Sequence, residues 1–285
     1  MNEDHATVHV GAARDEPVCG GENADRGDEP AALRVRGLTV HFGSTPVVRE
    51  VSFDASEGEW IGIVGPNGSG KTTLLRAISG AVSASGNVDL FGRPLASWSS
   101  RERARFLAVV RQHPSVSFDL SVRDLVTLGR APHRGWLTTF SAEDHETVES
   151  ALRDADVDAY ADRSIQSISG GEVQRAFLAQ ALAQDARLYL LDEPTTHLDV
   201  HYQFSLLDTM RRQVEQGRTV LAVVHDLEHA ARYADRLLVL KDGRCVDVGP
   251  PRDVLTPGLI ADVFGMKASV RSVNGHVRID YEGTA

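Results

Sequence analysis

The residues best equipped for chemistry lie at Gly65-Pro66-Asn67-Gly68-Ser69-Gly70-Lys71-Thr72, followed by Thr73. Glycines in such a run let backbone N–H groups turn inward around phosphate oxygens, and a helix starting at its end adds positive potential. Lys71 has the reach for β- and γ-phosphates, and Thr72 offers a hydroxyl to magnesium. Only three of the 30 basic residues are lysines, at 71, 241 and 267, so a chance match to this phosphate-loop pattern is rare. A phosphate loop needs a second carboxylate for the ion. Leu188-Tyr189-Leu190-Leu191-Asp192-Glu193 supplies an apolar run ending in two acids. Asp192 would hold magnesium, directly or through water, and Glu193 would orient and polarise an attacking water. In isolation, two acids after a strand could equally cap a following helix.

These side chains need elements to hold them. Residues 60–64 form a β-type run that ends in the glycine-rich turn, and 72–79 place Leu74, Leu75 and Ile78 on one helical face, giving strand, loop, helix. Upstream, runs at 33–40 and 47–53 broken by Gly43-Ser44 make a strand-rich opening. Between about 113 and 167 helical patterning dominates, with candidate helices at 121–129 and 142–155, which predicts an inserted helical lobe; 101–105 is a further candidate, leading into a strand at 106–110. Helix and strand then alternate: 172–184, 187–191, 202–216, 219–224, 227–234 and 236–240. That alternation predicts a mainly parallel sheet. Strand-like 270–273 and 276–279 flank Asn274-Gly275, a pair suited to a type I′ hairpin.

Composition narrows the class. The chain has 285 residues, 42% hydrophobic and 25% charged, an ordinary globular balance. No apolar run approaches the roughly 18 to 20 residues needed to span a bilayer, and the start, Met1-Asn2-Glu3-Asp4-His5, is acidic where an export signal is basic and then apolar. The first 33 residues carry eight acids against two arginines, which is −6 of the net −10. This head, residues 1–32, reads as an acidic disordered tail. The remainder has no basic excess, so nucleic acid is not an expected partner. Cys19 and Cys245 make neither a disulfide framework nor a metal set and suit a reducing cytoplasm.

Taken together, these motifs resemble the nucleotide-binding subunits of ABC transporters over about residues 33–263. Ile168-Ser169-Gly170-Gly171-Glu172 looks like the family signature, with Ile and Glu where Leu and Gln are commonest. The resemblance implies that Ser169, Gly170 and Gly171 contact ATP bound to an opposite subunit. Alone, the same residues would cap a helix; their place 23 residues before Asp192 favours the signature. Gln112 matches the glutamine that senses magnesium or water and couples to a membrane subunit, and His225 the switch histidine at the γ-phosphate. Asp199, in Thr196-His197-Leu198-Asp199, matches the loop that communicates across the dimer. Phe42 resembles the aromatic that stacks on adenine, although tyrosine is commoner there and packing on a strand face is the competing role.

The implied fold is an α/β P-loop ATPase with a mainly parallel core sheet, an N-terminal antiparallel β subdomain and an inserted helical subdomain. It spans residues 33–265, with a hairpin extension at 266–285. The implied function is ATP hydrolysis, with ATP and Mg2+ as cofactors, in a homodimer docked on integral-membrane permease subunits at the cytoplasmic face. A solute-binding protein would act only indirectly. Ser121 to His133 resembles the subfamily serving ferric siderophores, haem and cobalamin. The competing function is a soluble ABC-type ATPase working on DNA or ribosomes. The 121-residue separation of Lys71 from Asp192 and the single cassette argue against it. A nucleotide-binding regulator that does not hydrolyse is disfavoured by Glu193.

Overall fold

The computed structural model describes residues 31–112, 118–135, 139–196, 198–273 and 276–285. The acidic head through residue 30, His113, His197 and the Asn274-Gly275 turn lie outside these residues. In chain order the strands are β1 (Ala31–Phe42), β2 (Thr45–Ser56), β3 (Trp60–Val64), β4 (Ser85–Leu90), β5 (Arg93–Pro94), β6 (Leu107–Val110), β7 (Leu188–Asp192), β8 (Thr219–Val223), β9 (Arg236–Lys241), β10 (Arg244–Gly249), β11 (Met266–Val273) and β12 (His276–Thr284). The helices are α1 (Lys71–Ile78), α2 (Ser100–Arg103), α3 (Val122–Thr127), α4 (Ala142–Asp154), α5 (Gly170–Ala183), α6 (Val200–Glu215), α7 (Leu227–Tyr233), α8 (Pro251–Val254) and α9 (Pro257–Phe264).

A six-stranded sheet runs β10-β9-β3-β8-β7-β6, parallel throughout except at the β10–β9 edge. Its strands alternate between two buried faces. Ile61, Ile63, Leu188, Leu190, Leu221, Val223, Leu238 and Leu240 join α1 and the inner side of an antiparallel sheet, β2-β1-β4-β5. The intervening Trp60, Val64, Tyr189, Leu191, Val220 and Val239 face a second core shared with α5, α6, α7 and the helical lobe. Period-two side chains buried on both faces are what a parallel sheet between two layers requires. The expected mainly parallel α/β architecture is therefore the observed one.

The lobe packs α3 and α4 on the side of α5. The helix expected over 121–129 stops at Thr127 and continues as a 3-10 turn, Leu128–His133. Pro132 has no N–H to give an α ladder and restricts the residue before it, which accounts for the tighter turn. Gly129 sits where a Cβ would come within 2.3 Å of the Gln180 carbonyl oxygen, so only glycine lets this turn lie against α5. The C-terminal hairpin is longer than its alternating core suggests, with β11 and β12 paired from Met266 opposite Thr284 to Val273 opposite His276.

Candidate functional site

The phosphate loop follows β3 and runs straight into α1. Gly65 takes φ 152°, and a Cβ there would lie 2.1 Å from the Leu240 carbonyl oxygen, so the entry to the loop admits glycine alone. Gly70 caps α1 in the left-handed region at φ 98°. Lys71 is buried and curls back, its Nζ donating to the carbonyls of Gly65 at 2.8 Å and Pro66 at 2.9 Å. Burial lowers the Lys71 pKa, opposed by the nearby Glu193 and Asp192 carboxylates. The Ser69 hydroxyl is buried with no hydrogen-bond partner among the described residues. The loop thus holds an ammonium and a hydroxyl whose electrostatics favour an anion.

Asp192 ends β7 beside the start of α1, where the Thr72 hydroxyl donates to its Oδ1 at 2.8 Å. Burial pushes its carboxyl above the usual range, Thr72 pulls it down, and Glu193 pushes it up again. Glu193, one residue on, has φ 51°. A non-glycine residue in that region stores strain of the order of 1–3 kcal/mol and is held by its surroundings. Here the holders are plain: Oε1 lies 2.6 Å from His225 Nε2, and Oε2 accepts from the Gln112 amide and, at 3.4 Å, from the Thr196 hydroxyl. Gln112 follows β6 and His225 follows β8, the two strands flanking β7. The Glu193 side chain is only 11% exposed while that of His225 is 46% exposed, so the carboxylate sits inside and the imidazole at the rim.

The other expected site residues occupy different places. Ser169 is the N-cap of α5, its hydroxyl accepting from Glu172 N at 3.4 Å while the Glu172 carboxylate accepts from Ser169 N at 2.6 Å. This reciprocal cap leaves Ser169 and Gly170 exposed, with open space where a Gly170 Cβ would be. Asp199 caps α6 through Tyr202 N at 3.0 Å. Phe42, at the end of β1, is 54% exposed and so is not packed on the strand face. Lys71, Thr72, Asp192, Glu193, His225 and Gln112 are therefore gathered along one edge of the sheet. Phe42, Ser169, Gly170 and Asp199 are exposed to solvent instead.

The ABC transporter family profile matches residues 48–196, more than half of the chain. The chain belongs to the ABC transporter family. It is 42% identical over 246 residues to the hemin import ATP-binding protein of Pseudomonas putida, covering 84% of this chain and 95% of that one. It is 38% identical over 242 residues to the ferric enterobactin transport ATP-binding protein of Escherichia coli, covering 84% and 89%. Among solved structures, it matches a chain from the inward-facing conformation of a transporter assigned to the metal-chelate ABC type. That match has a TM-score of 0.75 at 25% identity and covers 90% of this chain and 98% of the other. No helix among the described residues of this ABC chain is long and apolar enough to cross a membrane.

Sequence reading of the ABC motifs missed their supports. Gln174, buried on α5, donates to the Arg111 carbonyl at 3.4 Å, immediately before Gln112. Arg175, equally buried, donates to the Asp156 carbonyl at 2.5 Å and lies 3.9 Å over the ring of Tyr202, the residue whose backbone N–H donates to Asp199. The signal was there in the form of polar residues five and six positions beyond Ser169, where the helical period turns inward. A cleft of about 730 Å3 between α1, α2, β6 and α5 reaches Asp192 at its floor, with Arg76, Arg103 and Arg111 on its walls.

Proposed function

We propose that this chain is the ATP-hydrolysing subunit of an ABC importer, powering uptake of a metal chelate such as haem, a ferric siderophore or cobalamin through separate permease subunits. One observation carries the chemistry: Glu193 is held between Gln112 and His225, one residue from the Asp192–Thr72 pair and facing Lys71. The chelate class rests on the 84% of the chain that aligns with hemin and ferric enterobactin import proteins.

The residues divide the work. Lys71 exchanges its loop carbonyls for β- and γ-phosphate oxygens, and the backbone N–H groups of Gly65, Asn67, Gly68, Ser69, Gly70, Thr72 and Thr73 are assigned to the rest of the triphosphate, that of Ser69 leaving the Pro66 carbonyl it meets at 3.2 Å. Phe42 offers an exposed ring for adenine. Glu193 orients the water and takes its proton as the water attacks the γ-phosphorus, the bond from that phosphorus to the β,γ-bridging oxygen breaks and ADP leaves, while His225, turned from Glu193 Oε1, donates to a γ-phosphate oxygen. Thr72 and Asp192 fit Mg2+, which takes few protein ligands, all oxygen, and keeps waters and phosphates for the rest; among the described residues no cluster of three or more His, Cys, Asp or Glu offers a competing metal site. Bound there, the ion would neutralise developing phosphate charge. The Gln112 amide nitrogen is taken by Glu193, which leaves its oxygen for the ion or its water.

Ser169 and Gly170 are exposed, and with Gly171 they are read as contacts to ATP on a second copy, with Asp199 read as part of the same contact. The arginine-walled cleft beside Arg111 is the proposed seat of the permease, at the cytoplasmic face of the membrane. Reconstitution in vesicles with a candidate chelate permease tests the reading. Wild type should couple ATP hydrolysis to chelate uptake, and Gln112→Ala should keep ATP binding while losing coupled uptake. Hydrolysis that never responds to a permease, together with copurifying ribosomes or DNA, would instead favour the soluble ATPase.

A further inference from the structure

We infer that Glu228 is a positioning residue for His225 and that the C-terminal hairpin, through β12, holds it in place. The inference rests on the reading of His225 as the residue that meets the γ-phosphate. His225 lies in the two-residue step between β8 and the Asp226 cap of α7, so its imidazole points where the start of α7 lets it point.

The far end of α7 is fixed by the core. A Cβ on Gly62 would lie 2.9 Å from Leu237 Cδ2 and 3.2 Å from Ala234 Cβ, so the helix end is pressed onto β3, and the Tyr233 hydroxyl donates to Asp208 at 2.7 Å. The near end has a different anchor. Glu228, in the first turn, accepts from Arg278 Nη1 at 2.8 Å and from the backbone N–H of Ile279 at 2.9 Å, both on β12. Ile279 is itself buried in the core that contains Leu227 and Ala230, so the donors are carried by a seated strand. Tyr281, two residues on, faces the same helix start: burial first, then the Asp226 and Glu228 carboxylates, raise its phenol pKa. Both oxygens of Glu228 are thus committed to the hairpin three residues from the switch histidine.

Loss of either anchor should let the α7 start, and His225 with it, wander without touching the nucleotide loop. Steady-state ATPase assays on the full chain test this. Glu228→Ala should lower kcat about fivefold while KM for ATP stays within about twofold. Arg278→Ala, which leaves the Ile279 bond intact, should lose less, and Arg278→Lys should restore most of the loss. In a His225→Ala background Glu228→Ala should cost nothing further, because the group it positions is gone. Full turnover in Glu228→Ala, or a KM that rises in step with the fall in kcat, overturns the inference; so does an equal loss with and without His225, the mark of a purely structural role. If Glu228→Ala does not fold, Arg278→Ala carries the same cycle. A fully active His225→Ala would instead overturn the assignment of His225 itself.

Discussion

Asp192 is a carboxylate whose charged form is disfavoured by its burial, and this has a consequence that can be measured. Its pKa is raised chiefly by burial, so the folded chain binds the proton more tightly than the unfolded one. Any stability it contributes is present below the unfolded pKa near 3.8 and is lost as pH rises towards the higher folded value. Asp192→Asn, which keeps an oxygen for Thr72, should therefore raise the thermal midpoint of the nucleotide-free protein at pH 7 and flatten its pH dependence across that window. The same variant should lose Mg2+-dependent hydrolysis. Differential scanning calorimetry beside a phosphate-release assay checks both halves; a lowered midpoint would mean that Asp192 is net stabilising. These residues were legible in the sequence because each needs a particular side chain at a particular spacing. That Gln112 and Thr196 meet Glu193 was not, since the contact arises through three-dimensional neighbourhood and no spacing encodes it.

Among the elements, the 3-10 turn at Leu128–His133 carries more weight than its length suggests. Arg130 Nε donates to Asp144 on α4 at 2.8 Å, its Nη1 donates to the Ala183 carbonyl at the end of α5 at 3.0 Å, and His133 Nε2 meets the Gln184 carbonyl at 2.8 Å. From the other side Arg101 and Arg105 both donate to the Pro132 carbonyl. This turn, within the stretch whose sequence resembles the chelate subfamily, is thus also the bolt between lobe and core. Gly129→Ala should destabilise by about 1–3 kcal/mol through the clash with Gln180, read as a lower denaturant midpoint with little change in slope. Arg130→Met should cost a similar amount, about 1–3 kcal/mol, because Asp144 loses its counter-charge and keeps only its bonds from Ser141. Arg130 holds the Asp144 carboxyl down at about 2, so the pair's contribution is complete above pH 3.8 and fades as pH falls towards 2. Long alternating segments were read correctly to within two or three residues. β4, β10 and α9 passed unread, being short runs such as Ser85-Gly86-Asn87-Val88 that have no period and form only because a neighbour strand or core face receives them.

For the whole molecule, the Ser169 loop is exposed at the start of α5 while Lys71 of the phosphate loop is buried, and the proposed function gives the two loops to different nucleotides. A head-to-tail pair would bring each signature onto its partner's ATP. With Glu193 as the proposed base, Glu193→Gln keeps the hydrogen-bonding shape but removes that base, so hydrolysis should fall by about 10²-fold or more. On a column with light scattering this variant should run as a dimer with ATP and a monomer with ADP; persistent monomer with saturating ATP at micromolar protein would sink the two-site arrangement. The acidic head lacks the apolar content to bury a core, and removing residues 2–30 should change turnover by less than about twofold.

The order of the central strands has a further consequence. β3, β8, β7 and β6 are immediate parallel neighbours, and the phosphate loop, His225, Glu193 and Gln112 leave from their C-terminal ends in turn. A nucleotide seated along that edge stitches four strands that the chain itself visits in a scattered order, so binding energy is spent on cohesion of the sheet as well as on chemistry. At a nucleotide concentration 100 times its dissociation constant, the linkage is worth about 2.7 kcal/mol. Amide exchange should then slow in all four strands together, β6 included, although β6 lies three strands away from the loop that grips the phosphates.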